Sequence, residues 1–180
     1  MPGGEYMDNL VDKKWYVART HSKHEKKVFE KVTNLGIKAY LPRREEIRQW
    51  HDRKKKIEVV LTPGVVFVFT DKDTVLSLPN EYGIKVSYML DRMNPKNGLL
   101  VVPDYQMDDF MNFVGMADDS FRIEEELLYA KGDKIIVTVG PMKGLTGELI
   151  KVGMENRMIV RLDGVLACSV RMTTDMFERI

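Results

Sequence analysis

A chain of 180 residues, 44% hydrophobic and 31% charged, can build one large or two small globular domains and is not composed like a disordered or membrane protein. No apolar run approaches the ~20 residues that cross a bilayer, the polar start at residues 1–8 does not read as a signal peptide, and the lone cysteine, Cys168, excludes an internal disulfide and a Cys-x-x-Cys site, so the expectation is a cytoplasmic protein with no membrane contact. The net charge of +1 hides a division: residues 1–60 hold 15 Lys plus Arg against 9 Asp plus Glu, residues 61–119 hold 4 against 9, and residues 120–180 hold 9 of each, which suits one face to a phosphate backbone or is simply local variation on a solvated surface.

Residues 1–12 show no pattern and read as a disordered or added leader. Lys14–Arg19 is rich in β-formers and reads as a strand. Ser22 followed by Glu25 matches a capping box, Val28, Val32 and Leu35 recur at helical spacing, and Gly36 supplies a stop. Residues 37–50 read as extended, with Pro42 at an edge or bulge, and the charged stretch from Trp50 to Lys56 as a hairpin tip. Residues 57–61 return as a strand, Thr62-Pro63-Gly64 bends the chain, and the apolar run Val65 to Phe69 belongs in the centre of a sheet. A short helix near 73–78, a strand at 84–90, a turn at 94–98 and a strand at 99–102 follow. Pro103 and Asp104 open a second clear helix, with Met107, Phe110, Met111 and Val114 on one stripe and Gly115 at its end.

From Asp118 to Glu126 the chain turns acidic and aperiodic, which marks a linker within 117–130. After Lys131 only short β-rich runs remain, at 134–139, 148–152, 158–162 and 167–172, separated by glycine turns. Strands this short and evenly spaced suit a small closed barrel. The fold class expected is therefore α+β: an antiparallel sheet flanked by helices over residues 13–116, then a β-barrel over 131–180.

Gly132, Ile135, Val137, Gly140, Pro141, Gly144 and Gly147 resemble the KOW motif, in which a strand runs into a Gly-Pro turn and later glycines allow a tight corner. The N-terminal order resembles the N-terminal domain of the NusG family: a Trp-Tyr-Val strand, a basic helix, a hairpin, Pro-Gly before an apolar strand, and a helix before the linker. Together the resemblances span residues 13–180. Within the family, His24-Glu25-Lys26-Lys27, Leu41-Pro42-Arg43-Arg44 and Arg48-Gln49-Trp50 are similar to the UpxY-type antiterminators of Bacteroides-like bacteria, which are associated with surface polysaccharide operons. Many family members carry an aromatic before Pro-Gly and a tyrosine after it; this chain has Thr62 and Val65, a departure that weakens or rearranges the expected contact.

The resemblance implies a non-catalytic, monomeric transcription elongation and antitermination factor without a cofactor. Its polymerase contact would be Trp15, Tyr16, Val65, Phe67 and Phe69 against the β′ clamp helices of RNA polymerase, although each of these residues reads equally well as core. Alternation should turn Val65, Phe67 and Phe69 to one face. The non-template DNA strand would meet Arg19, His21, Lys23, His24 and Lys27, beside a helix N-terminus that also attracts phosphate. The hairpin residues Arg53, Lys54 and Lys55, with Trp50 and His51, suit nucleic acid by charge and stacking or form a solvated tip. The KOW turn, Gly132, Gly140, Pro141, Gly144 and Gly147, would belong to a protein-docking module whose partners in the family are ribosomal protein S10 and Rho, and both stay open here. Helical refolding of the C-terminal domain, known in the family, is opposed by these glycines and Pro141. His21 and His24 lack a third metal ligand nearby, and no phosphate-cradling loop, nucleophile elbow or His-Glu-x-x-His is present. Two other readings stay in view, a general NusG-type elongation factor and a ribosome-associated KOW protein; the near-neutral C-terminal part argues against the latter.

Overall fold

The computed structural model describes residues 12–124 and 130–180; most of the expected leader and the middle of the expected linker lie outside them. The first half is a sheet in the order β2-β5-β1-β6, with β7 also on β1. Its members are β1 (Lys14–Arg19), β2 (Lys38–Tyr40), β5 (Val65–Thr70), β6 (Ser87–Tyr88) and β7 (Val101–Val102). The unbroken apolar run of β5 sits between β2 and β1, where both faces are covered. One face is closed by α1 (Glu25–Asn34) and α2 (Lys72–Asn80), whose Val28, Val32, Val75 and Leu78 pack with Tyr16, Val66 and Val68. The other face meets α3 (Asp104–Met116) through Met107, Phe110, Phe113 and Val114.

Pro42 separates β2 from β3 (Arg43–Trp50), which leaves the main sheet and pairs only with β4 (Arg53–Val60). The turn between them is tighter than expected, His51 and Asp52 alone. The strand expected over 84–90 shrinks to β6 and a single bridge between Leu90 and Leu99. Helix α3 runs through Gly115 to Met116 rather than stopping before it.

The second half is an antiparallel sheet in the order β13-β9-β10-β11-β12-β8. It comprises β8 (Arg122–Glu124), β9 (Asp133–Val137), β10 (Thr146–Val152), β11 (Glu155–Leu162), β12 (Leu166–Met172) and β13 (Phe177–Arg179). All of it is β, in line with the glycine argument against helix. The β-rich C-terminal unit expected over 131–180 is observed, and among the described residues its ladder ends at β13 on one side and β8 on the other. The expected linker is also not all linker: β8 pairs with β12, Cys168 opposite Ile123. A Cβ built on Gly132 would lie 1.9 Å from the Leu149 carbonyl oxygen, so only glycine fits there. Gly140 and Gly144 hold φ of +85° and +90°, and the Gly144 N–H donates to the Val137 carbonyl at 2.8 Å, closing the turn around Pro141.

A buried arginine fixes β8 to this sheet. Arg157, 1% exposed, donates from Nε to Ser169 Oγ at 2.8 Å, from Nη1 to Glu155 at 3.2 Å and from Nη2 to the Ser120 carbonyl. Glu124 Oε1 lies 3.6 Å from Arg157 Nε and also accepts from the Ser169 hydroxyl. The charge is therefore paired and its donors are satisfied, the condition for tolerating an ion in the interior.

Candidate functional site

Alternation along β5 sends Val65, Phe67 and Phe69 to the α3 face and Val66 and Val68 to the other. Trp15 lies opposite Phe69 in the ladder, their ring centroids 5.1 Å apart, and joins the same face. Tyr16, the next residue, is buried on the opposite face beside the α1 and α2 residues, where burial pushes its phenol pKa up. The expected polymerase set is thus brought together except for Tyr16. Lys38, exposed on β2, holds its Nζ 5.3 Å from the Trp15 ring centroid and 5.1 Å from that of Phe69, a cation over paired aromatic faces that the sequence reading had not singled out.

This face is not open. Phe67 is fully buried with Phe110 of α3 at 5.6 Å, and the cluster of buried side chains continues without a break into Met158, Val160, Leu162, Cys168 and Val170 of the C-terminal sheet. Tyr40, edge-on to Phe110 at 6.2 Å, has its pKa pushed up to about 12, first by burial and then by the nearby Cys168 thiol. Burial likewise pushes the Cys168 thiol up, and its Sγ donates to the Val160 carbonyl at 3.7 Å, so it behaves as a small apolar residue. Polar contacts rim the junction. Gln106 Nε2 donates to Asp163 Oδ2 at 2.9 Å while the Asp163 N–H donates to Gln106 Oε1 at 3.2 Å. Arg44 Nη1 donates to the Asp118 carbonyl at 2.7 Å. Gly164 lies against Leu100, where a built Cβ would come within 3.6 Å.

The basic residues Arg19, His21, Lys23, His24 and Lys27 are all exposed around the start of α1. The His21 and His24 rings stand edge to face at 6.0 Å, and among the described residues no group of three metal ligands forms. The capping box does not form: His24 is the N-cap and makes no side-chain cap. Glu25 instead turns inward, 3% exposed, and accepts the Gly64 N–H at 2.6 Å. That amide is presented by the Thr62-Pro63-Gly64 bend, where Gly64 has φ +77° and its carbonyl accepts from Thr20. A carboxylate offered to a partly buried N–H makes a stronger bond than a cap exposed to water. Lys31 and Lys85 join His24 and Lys27 around a cleft of about 150 Å³; Lys85 is far away in sequence and could not have been added without the fold.

The hairpin β3-β4 carries Arg53, Lys54 and Lys55 at its exposed end with Trp50, which is 62% exposed. The glycines and Pro141 of the expected KOW turn form the corner after β9 described above.

A profile of the NusG family, described as transcription termination factor nusG, matches residues 13–127. The chain belongs to the NusG family. The match spans the whole N-terminal sheet with α1 to α3, and places this NusG-family chain among transcription factors. A solved structure describing domain interaction in Thermotoga maritima NusG is similar at 23% identity and a TM-score of 0.50, covering 94% of this chain and 98% of that one. The likeness is one of fold. Conformations A and B of the MjSpt4:Spt5 complex each align at 14% identity and a TM-score of 0.27 over 92% of this chain, covering 97% and 96% of those chains. No curated protein matches. Among the described residues of this NusG-family chain no helix is long and apolar enough to cross a membrane.

Proposed function

We propose that this chain binds RNA polymerase through its N-terminal domain and promotes processive transcription of particular operons, those for surface polysaccharide synthesis, as a UpxY-type antiterminator. The observation that carries the reading is the apolar face of Trp15, Val65, Phe67 and Phe69, which in the free chain lies in one buried cluster with α3 and the C-terminal sheet. A large apolar face needs a cover. Two covers compete for it: the C-terminal sheet of the same chain, and the β′ clamp helices of the polymerase. The rim contacts from Gln106 and Arg44 are exposed, and polar contacts of that kind exchange with water at little net cost. Domain interaction is also what the Thermotoga maritima NusG structure describes.

In this reading the C-terminal sheet is the KOW module, freed to meet a protein partner such as ribosomal protein S10 or Rho once it leaves the N-terminal face. The non-template DNA strand meets the exposed cations at the start of α1 and on the hairpin. The protein acts in the cytoplasm as a monomer, without cofactor or catalysis. Thr62 and Val65 in place of aromatic residues support the specialist over a general NusG; Thr62 is a small buried side chain.

The test is retention of the full chain by purified core polymerase. Phe69→Asp, at a half-buried position, should abolish retention while circular dichroism stays unchanged. Retention equal to wild type would remove this face from the contact. Phe67 is the wrong probe, because it is core beneath Phe110 and an aspartate there would unfold the domain.

A further inference from the structure

The two faces of the β3-β4 hairpin are chemically unequal, and only one is built to take a base. Residues directly opposite in an antiparallel ladder share a face, as do residues two apart on one strand. The ladder sets Arg48 opposite Lys55 and Trp50 opposite Arg53, so these four share the distal part of one face. The other face carries Ile47 opposite Lys56 and Gln49 opposite Lys54. The ion pairs agree with this division. Glu46, on the Trp50 face, pairs with Arg44 at 2.9 Å and Arg48 at 3.6 Å, and Glu45, on the opposite face, pairs with Lys56 at 3.2 Å.

Arg53 and Lys55 flank Trp50 with no acidic partner among the described residues, and the only carboxylate farther out is Asp52 in the turn. On the opposite face Lys56 is paired with Glu45, and Lys54 has no acidic partner among the described residues. The exposed apolar side chains are also divided: Trp50, 62% exposed, is on one face and Ile47, 66% exposed, is on the other. They cannot form a joint apolar patch, which is what docking of a protein partner would need. An exposed aromatic ring ringed by cations is instead the arrangement that stacks an unpaired base and neutralises the phosphates on either side.

We infer that Arg48, Trp50, Arg53 and Lys55 form a stacking site for single-stranded DNA, and that Lys54 and Lys56 lie outside it. This rests on the DNA-binding reading above and narrows it to one side of one hairpin. Single-stranded DNA is the occupant because the proposed partner is the displaced strand, and because a lone aromatic with flanking cations reads a base by stacking and offers no set of hydrogen bonds to specify it.

The experiment is titration of a fluorescein-labelled oligo-dT into the full-length chain over a series of salt concentrations, with the exposed Trp50 serving as a second reporter since Trp15 is buried. Trp50→Ala should weaken binding by about fivefold or more, and Trp50→Phe should restore most of it. Replacing Arg48, Arg53 and Lys55 together by Gln should lower the log–log salt slope by about 2, at ~0.7 per phosphate contact. Lys54→Gln should leave affinity within twofold of wild type. Equal losses from Lys54→Gln and Lys55→Gln, or tighter binding of oligo-rU than of oligo-dT, would overturn the assignment. So would loss of polymerase retention in Trp50→Ala with unchanged oligo-dT binding, which would make the hairpin a protein contact. Loss of binding in an Arg19→Glu, Lys27→Glu double variant but not in Trp50→Ala sinks the hairpin site and leaves the DNA-binding function standing. No binding by the wild type sinks both.

Discussion

Gln106 of α3 and Asp163, in the turn after β11, grip each other at two points, the side-chain amide donating to the carboxylate at 2.9 Å and accepting the Asp163 N–H at 3.2 Å. One side chain thus spans the junction between the N-terminal domain and the C-terminal sheet. Gln106→Glu replaces the donated hydrogen bond with two facing carboxylates. Loss of one or two exposed hydrogen bonds, at about 0.5–1.5 kcal/mol each, should shift the closed–open equilibrium by about 2- to 150-fold. Small-angle scattering should show a larger radius of gyration, and polymerase retention should rise; a variant as compact and as weakly retained as wild type would remove this contact from control of closure.

Glu25 should matter more to folding than its place in a helical first turn suggests. Glu25→Ala leaves the partly buried Gly64 N–H without its acceptor and should lower stability by about 1–3 kcal/mol in urea unfolding. Gly64→Ala should cost about 1–2 kcal/mol, since φ is +77° and the new Cβ would sit 3.2 Å from the Thr20 carbonyl oxygen.

Thr62 presents the opposite case. Its Oγ1 is buried with no hydrogen-bond partner among the described residues. Thr62→Val keeps the shape and removes the unpaired hydroxyl, so it should stabilise the fold by about 1 kcal/mol, read as a shift of the urea midpoint without a change in slope.

Arg157 and Glu124 are best tested as a pair. Glu124→Ala leaves a buried guanidinium without its buried counter-charge and should cost about 3 kcal/mol, while Arg157→Met with Glu124→Leu should cost less than that single change. A double variant less stable than Glu124→Ala would show that the network adds net stability.

Tyr40 makes stability fall at high pH. Its folded pKa of about 12 lies above its ordinary 10, so the folded state favours the protonated phenol. Its contribution is whole below pH 10 and is lost as the pH rises toward 12. Wild type should lose stability relative to Tyr40→Phe between pH 10 and pH 12, and a constant difference would contradict the burial argument.

Patterns carried in one segment were legible in the sequence: β1 falls on Lys14–Arg19 as expected, β5 is central, and α3 carries Met107, Phe110 and Val114 inward. The glycines at 132, 140 and 144 were legible as well, because a missing side chain or a positive φ restricts the residue type directly. What failed depended on partners remote in sequence. Ser22 and Glu25 have the spacing of a cap, but the Gly64 amide, 39 residues on, claims the glutamate. Arg122–Glu124 has no strand pattern of its own and becomes β only because β12 offers it an edge. The division of the polymerase set had a usable signal, since Trp15 and Tyr16 are adjacent on one strand and must point to opposite faces. That the C-terminal sheet covers that face had none, because the covering residues are ordinary core residues of their own domain.

The placement of β8 also sets how far the two halves can part. With β8 paired to β12, only residues 117–121 connect α3 to the C-terminal sheet, a tether of at most about 18 Å when fully extended. Under the proposed function, a leash that short would hold the released sheet at high effective concentration next to the face it left, and a polymerase contact there would compete with reclosure. By holding β8 on β12, the Arg157 network therefore sets the length of that leash.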